Sequence, residues 1–215
     1  DVGNSAFTLL VATIIPIYFN YLAGMEGISE VNYLAFWGYA SSIATLLVAF
    51  LGPVFGTLAD TKGFKKPIFL GSLLVGVGGL CVLSVPMGFV AFLVIFIIAK
   101  VGYSCSLVFY DAMLSDVTTP ERMDRVSSQG YAWGYIGSCI PFVAGLLLIL
   151  NCDAIGLPMV TATRISFVIT MVWWIVMSIP LYKNVHQQYS LPHEPHVFAA
   201  TFKRLGATFQ KLAKD

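Results

Sequence analysis

Six long apolar runs limit what this chain can become. They cover about residues 6–23, 33–58, 68–85, 89–113, 126–150 and 160–182. Each comes close to the roughly 20 residues that a helix needs to cross about 30 Å of hydrocarbon. Inside a bilayer every backbone N–H and C=O must be satisfied by the protein itself, which leaves helices and closed barrels. Barrel strands would alternate apolar and polar residues, and these runs do not. Charged residues make up 11% of the chain, against about 25% in a soluble domain. The expected fold class is an all-α membrane protein, a bundle of six transmembrane helices spanning residues 1–183. A cytoplasmic linker is expected at 184–200 and a basic amphipathic helix, lying on the membrane surface, at 201–215.

The loops set the orientation. Pro86 and Gly88 mark a tight turn, so the third and fourth spans form a helical hairpin. Ten of the twelve Lys and Arg residues fall in the second loop, the fourth loop or the tail. By the positive-inside rule those segments are cytoplasmic, and an even number of spans places the N-terminus there too. In the tail, Phe202, Leu205, Phe209 and Leu212 recur at near-helical spacing beside Lys203, Arg204, Lys211 and Lys214, the pattern of an interfacial helix. A net charge of +1 implies no nucleic-acid partner. The four cysteines follow no metal or redox spacing. No nucleophile–base set, metal spacing or phosphate loop is present, which argues against an enzyme.

The second loop concentrates charge and glycine between two greasy spans. Gly52 and Gly56 offer a small-residue face for close helix approach. Gly63 allows the positive φ of a tight turn, and Pro67 suits the first turn of the third helix. Asp60 puts a carboxylate at a helix end, and Lys65 and Lys66 follow it. Gly56-Thr57-Leu58-Ala59-Asp60-Thr61-Lys62-Gly63-Phe64-Lys65-Lys66 resembles the signature of the major facilitator superfamily between its second and third helices. Thr61 and Phe64 stand where that signature has cations. The resemblance implies that this loop latches the two halves of a carrier in one state of its cycle. The candidate latch residues are Gly56, Asp60, Gly63, Lys65 and Lys66, with Asp111, Arg122 and Arg125 at the same end of the bundle.

A narrower resemblance covers the chain from its first residue to about Ser138. Asp1-Val2-Gly3-Asn4-Ser5-Ala6-Phe7 is similar to the opening of the autophagy-associated vacuolar effluxer branch of that superfamily. Ser127-Ser128-Gln129-Gly130-Tyr131-Ala132-Trp133-Gly134-Tyr135-Ile136-Gly137-Ser138 resembles its fifth-helix pattern, and Phe109-Tyr110-Asp111-Ala112-Met113-Leu114 its fourth-helix ending. The resemblance implies the N-terminal half of a twelve-span carrier, made of two inverted three-helix repeats. The implied partners are the lipid bilayer, a C-terminal six-helix half and a small-molecule substrate. It points to efflux of amino acids at a vacuolar or lysosomal membrane, with the plasma membrane as the alternative. No cofactor is expected, and a coupling ion, a proton among the candidates, stays open.

Lys100 stands midway along the fourth span. A lysine at bilayer centre costs about 2.5–3.5 kcal/mol on insertion scales, so it needs water or a partner. Asp111 lies eleven residues away on nearly the same face, but about 16 Å along the axis. Three roles compete: binding a substrate carboxylate in a central cavity, pairing with an acid on helices outside this chain, and a structural cation held by carbonyls and water. The first and fourth helices line the cavity in major facilitators, which adds Thr13, Asn20, Tyr103 and Ser104. Tyr131 and Tyr135, with Ser138, share a face of the fifth span, either as a polar cavity wall or as packed phenols. Pro16 would kink the first span. The reading is a secondary carrier of small polar metabolites, amino acids first, working by alternating access. Its alternative is a non-transporting half-bundle, a structural subunit of a larger complex.

Overall fold

The computed structural model describes residues 1–191 together with residues 202, 203 and 206. The expected linker beyond residue 191 and the surface helix at 201–215 lie, apart from those three positions, outside the described residues. Six helices are long and apolar enough to cross a membrane: Val2–Met25, Glu30–Ala59, Lys65–Leu83, Phe89–Val117, Pro120–Leu150 and Met159–Asn184, here spans 1 to 6. Most run past the apolar stretches, because polar residues at the interface continue the helical hydrogen bonding. Span 3 instead stops at Leu83, three residues before Pro86, which cannot donate to a continuing helix.

Span 1 is not a uniform helix. A π-helical turn, Leu10–Ile14, separates two α-helical pieces. Pro16 lacks the N–H that would bond the carbonyl of Ala12, and the wider turn re-registers the ladder at that point. The Thr13 hydroxyl donates to Leu9 O at 2.6 Å and is satisfied within its own helix.

Spans 3 and 4 pack most extensively against each other, and span 2 lies along span 4. On the other side, span 1 packs against spans 5 and 6. Small residues allow the hairpin's close approach. A Cβ on Gly102 would lie 2.6 Å from Gly76 N, and one on Gly79 would lie 2.5 Å from Ala99 Cβ. A Cβ on Gly76 would meet the Trp174 ring at 2.6 Å, so the same stripe admits the largest buried side chain of span 6. Between helices that share a lipid solvent, such contact area supplies the cohesion that water would otherwise provide. At the opposite end from the basic loops, Glu26 Oε1 accepts the N–H of Phe89 at 3.0 Å and caps span 4.

Aromatic rings fill the core. Phe7, Tyr103 and Trp174 form one cluster across spans 1, 4 and 6, with centroids 4.5, 5.4 and 5.7 Å apart. The Trp174 Nε1–H donates to buried Asn4 Oδ1 at 2.8 Å. Asn4 belongs to the opening motif, and its amide is thereby a structural tie between spans 1 and 6.

Candidate functional site

Spans 1, 4 and 5 converge on a cavity of about 130 Å³ with several polar side chains in its wall. Its lining includes Asp1, Thr8, Tyr103, Asp111, Tyr131 and Tyr135. A second cavity of about 150 Å³ adjoins it toward the basic loops and shares Asp1, Tyr110, Asp111 and Tyr131. Tyr103 is held on three sides. Its ring stacks on Phe7 and meets Trp174 edge-on, and its hydroxyl lies 2.6 Å from Thr8 Oγ1. Tyr131 and Tyr135 are 55% and 63% exposed, so the other described residues leave this face of span 5 uncovered.

Gly134 explains how Asp1 reaches the cavity wall. A Cβ there would lie 2.6 Å from the Asp1 carboxylate and 3.0 Å from Ser5 Oγ. Any larger residue would displace the acid. Ser138, one turn further, is buried and donates to Tyr135 O at 2.9 Å. The fifth-span glycine and tyrosine pattern thus divides its work: Gly134 and Ser138 face the bundle, and the two tyrosines face outward.

Lys100 is half-buried, with its ammonium 5.8 Å from the centroid of the Phe96 ring. Phe96 stacks on Trp37 of span 2 at 4.4 Å. The cation therefore lies near the seam of spans 2 and 4, on the helical face it shares with Leu107 and Asp111. It stands about 4.5 Å along the axis from Tyr103. Asn20 is exposed on span 1 and Ser104 is half-buried on span 4. Lys100, Asn20, Thr13 and Ser104 are not among the residues that line the two cavities.

At the basic end, Gly63 takes φ +84°, which places a glycine at this turn. Lys65 opens span 3 and is 3% exposed. Its ammonium donates to Asp116 Oδ2 at 2.6 Å and to Ala112 O at 3.0 Å, at the end of the long helix of span 4. This is the one ion pair among the described residues. Lys66 lies over the Tyr182 ring, 5.6 Å from its centroid. The side chains of Asp60, Arg122 and Arg125 are exposed. Of the sequence-predicted latch residues, the structure brings only Lys65 to a carboxylate, and that carboxylate is Asp116.

Asp116, Asp1, Thr8 and Tyr110 were not singled out from the sequence. Asp116 had a legible signal: an acid just past the fourth apolar run faces the lysines of the second loop across the same end of the bundle. Asp1 had one too, as the first residue of the opening motif. Among the described residues, no group of three or more His, Cys, Asp or Glu side chains could hold a metal ion.

Comparison with known proteins agrees with this architecture. The model of the family described as vacuole effluxer Atg22 like matches residues 1–214. A relative from Bacillus subtilis (strain 168), the uncharacterized MFS-type transporter YxiO, is 38% identical over 217 residues. The match covers 99% of this chain and 51% of that protein, so the chain spans about half the length of the curated relative.

Proposed function

This chain belongs to the vacuole effluxer Atg22-like family, and on that premise we propose that it forms the N-terminal half of a secondary carrier of the major facilitator type. It is an integral, multi-pass membrane bundle without enzymatic chemistry. Its six spans make two three-helix repeats of inverted topology, and a second six-span bundle covers the open face of spans 1, 4 and 5. The substrate is a small polar metabolite, an amino acid first, bound between the halves and released by alternating access. The basic loops and the tail lie in the cytoplasm.

One observation carries this reading: the cavity between spans 1, 4 and 5 lies beside a face of span 5 that the other described residues leave uncovered. A cavity lined by spans 1, 4 and 5, beside tyrosines of span 5 that stay exposed, reads as half of a site. Lys100, at mid-depth on the same face of span 4, takes the substrate carboxylate once water enters between the halves. Tyr103, Ser104, Thr13 and Asn20 supply polar contacts around it. The distance of about 16 Å from Lys100 to Asp111 is too long for one α-amino acid to engage both. Asp111 therefore works at the cytoplasmic mouth, with the loop that contains Gly56, Asp60, Gly63, Lys65 and Lys66 and with Arg122 and Arg125. Exposed Asp60 is free to meet a cation or a helix end of the second half, as a latch requires.

The test is Lys100→Ala in the full-length protein, reconstituted in liposomes with a mixture of labelled amino acids. Uptake should fall to background while the thermal midpoint in detergent stays within about 2 °C, because a half-buried lysine without an ion pair contributes little to stability. Undiminished uptake would remove Lys100 from the substrate site.

A further inference from the structure

We propose that residues 187–191, which follow span 6, form a removable lid over the Lys65–Asp116 ion pair. Movement of this segment would then loosen the joint between spans 3 and 4.

The lid is built from backbone and amide groups. Leu191 N–H donates to Asp60 O at 2.7 Å, and Lys62 N–H donates to Leu191 O at 3.1 Å, so that Thr61 and Leu191 form a short parallel bridge. Gln187 fastens the other end. Its Oε1 accepts the N–H of Gly63 at 3.0 Å, and its amide donates to Ala59 O at 3.1 Å and Thr61 O at 3.3 Å. Gln187 thus satisfies the carbonyl of Ala59, the last residue of span 2, and adds a second donor to Thr61 O, which also accepts the Phe64 N–H.

Asp116 joins this lid to the helices. One carboxylate oxygen holds Lys65. The other accepts the N–H groups of Gln188 at 2.9 Å and Tyr189 at 3.3 Å. The Asp116 side chain is 0% exposed although it sits at the end of the bundle, where water would otherwise reach it. Two of its hydrogen bonds come from the lid. If the lid lifts, Asp116 loses both donors, and the ion pair becomes a solvated one of much smaller strength.

The lid also has the character of a part that can open. Tyr189 is 67% exposed and Leu191 is 42% exposed, so neither anchors it by apolar burial. Hydrogen bonds at a surface exchange readily with water, and segments held this way open well below the global unfolding free energy. Any pull on the linker reaches Asp116 directly and Lys65 through it.

The test uses the full-length protein without its native cysteines, in permeabilised membrane vesicles. Thr61→Cys places a thiol at a position that is 2% exposed beneath the lid. Its reaction with a membrane-impermeant maleimide should be slow. Gln187→Ala, which removes the side-chain hydrogen bonds to Ala59, Thr61 and Gly63, should raise the rate at least tenfold. Lys65→Met should also raise it severalfold, although no lid atom bonds to Lys65, because Asp116 then holds the lid without its counter-ion. Fast labelling of Thr61→Cys with the lid intact would overturn the proposal. So would a rise with Gln187→Ala and none with Lys65→Met, which would leave a docked linker but no coupling to the ion pair. Labelling does not depend on transport, so an inactive carrier leaves this result readable.

Discussion

Lys65 and Asp116 are each nearly inaccessible, and together they answer each other's charge at the end of the bundle. Removing one partner of such a pair strands the other in a poor solvent. Lys65→Ala should therefore lower the stability of the detergent-solubilised protein by about 3 kcal/mol. Lys65→Ala with Asp116→Ala should cost less than the sum of the single changes, since the double variant leaves no stranded charge. The measurement is a double-mutant cycle from thermal or denaturant unfolding. Additive losses would mean that the pair is solvated in the membrane-bound protein. From the sequence, Lys65 stood out as a candidate, but its pairing with Asp116 did not, although an acid past the fourth apolar run was there to be read. The reason is physical: an ion pair depends on where two helix ends meet, and spacing along one helix does not encode that. Lys100 differs again, because its depth and its neighbour Phe96, one turn away on the same helix, were readable from the apolar run, whereas the stacking of Trp37 on Phe96 depends on how span 2 lies against span 4.

At the scale of elements, two sets of glycines that look alike in sequence do different work. Gly76, Gly79 and Gly102 lie where spans 3 and 4 nearly touch, and Gly102 has backbone against it at 2.6 Å. A Cβ on Gly52 or Gly56 would meet no other described part of the chain within 4 Å. Gly102→Ala should thus force the hairpin apart and lower stability by about 2–3 kcal/mol. Gly56→Ala should leave the thermal midpoint of this bundle unchanged or slightly raised, since alanine is the better helix former. If the uncovered face of span 2 meets a second bundle, Gly56→Ala in the full-length protein should reduce uptake without unfolding it. Thermal shift and uptake measured on the same preparations separate these outcomes. Small-residue spacing in the sequence announces a close approach but not its partner. The stripe on the fifth span was legible, yet only the structure shows Gly134 facing Asp1 while Gly130 has only the Tyr110 hydroxyl near it, at 3.7 Å.

For the whole molecule, the number of spans was legible because the bilayer imposes one length on every crossing, and no tertiary contact is needed to read it. The face that carries the site was less legible, since each span is apolar nearly all round and periodicity alone does not separate lipid from protein. Orientation rests on a third kind of signal, the charge of the loops. The second loop, the fourth loop and the segment after span 6 meet at one end: the lid joins Thr61 to Leu191, and Asp116 joins Lys65 to Gln188. All but two of the basic residues belong to those segments or to the tail beyond them, so the positive-inside rule assigns that whole end to the cytoplasm. In a cysteine-free background, Lys62→Cys and Arg125→Cys should react with an impermeant maleimide in inverted vesicles. Asp153→Cys, exposed in the loop between spans 5 and 6, should react in right-side-out vesicles. Intact vesicles should protect each thiol on the opposite side until detergent is added. Labelling of all three from one side would break the six-span topology. A clean reversal would keep the topology and turn the bundle over, and the cavity shared by Asp1, Tyr110, Asp111 and Tyr131 would then open away from the cytoplasm.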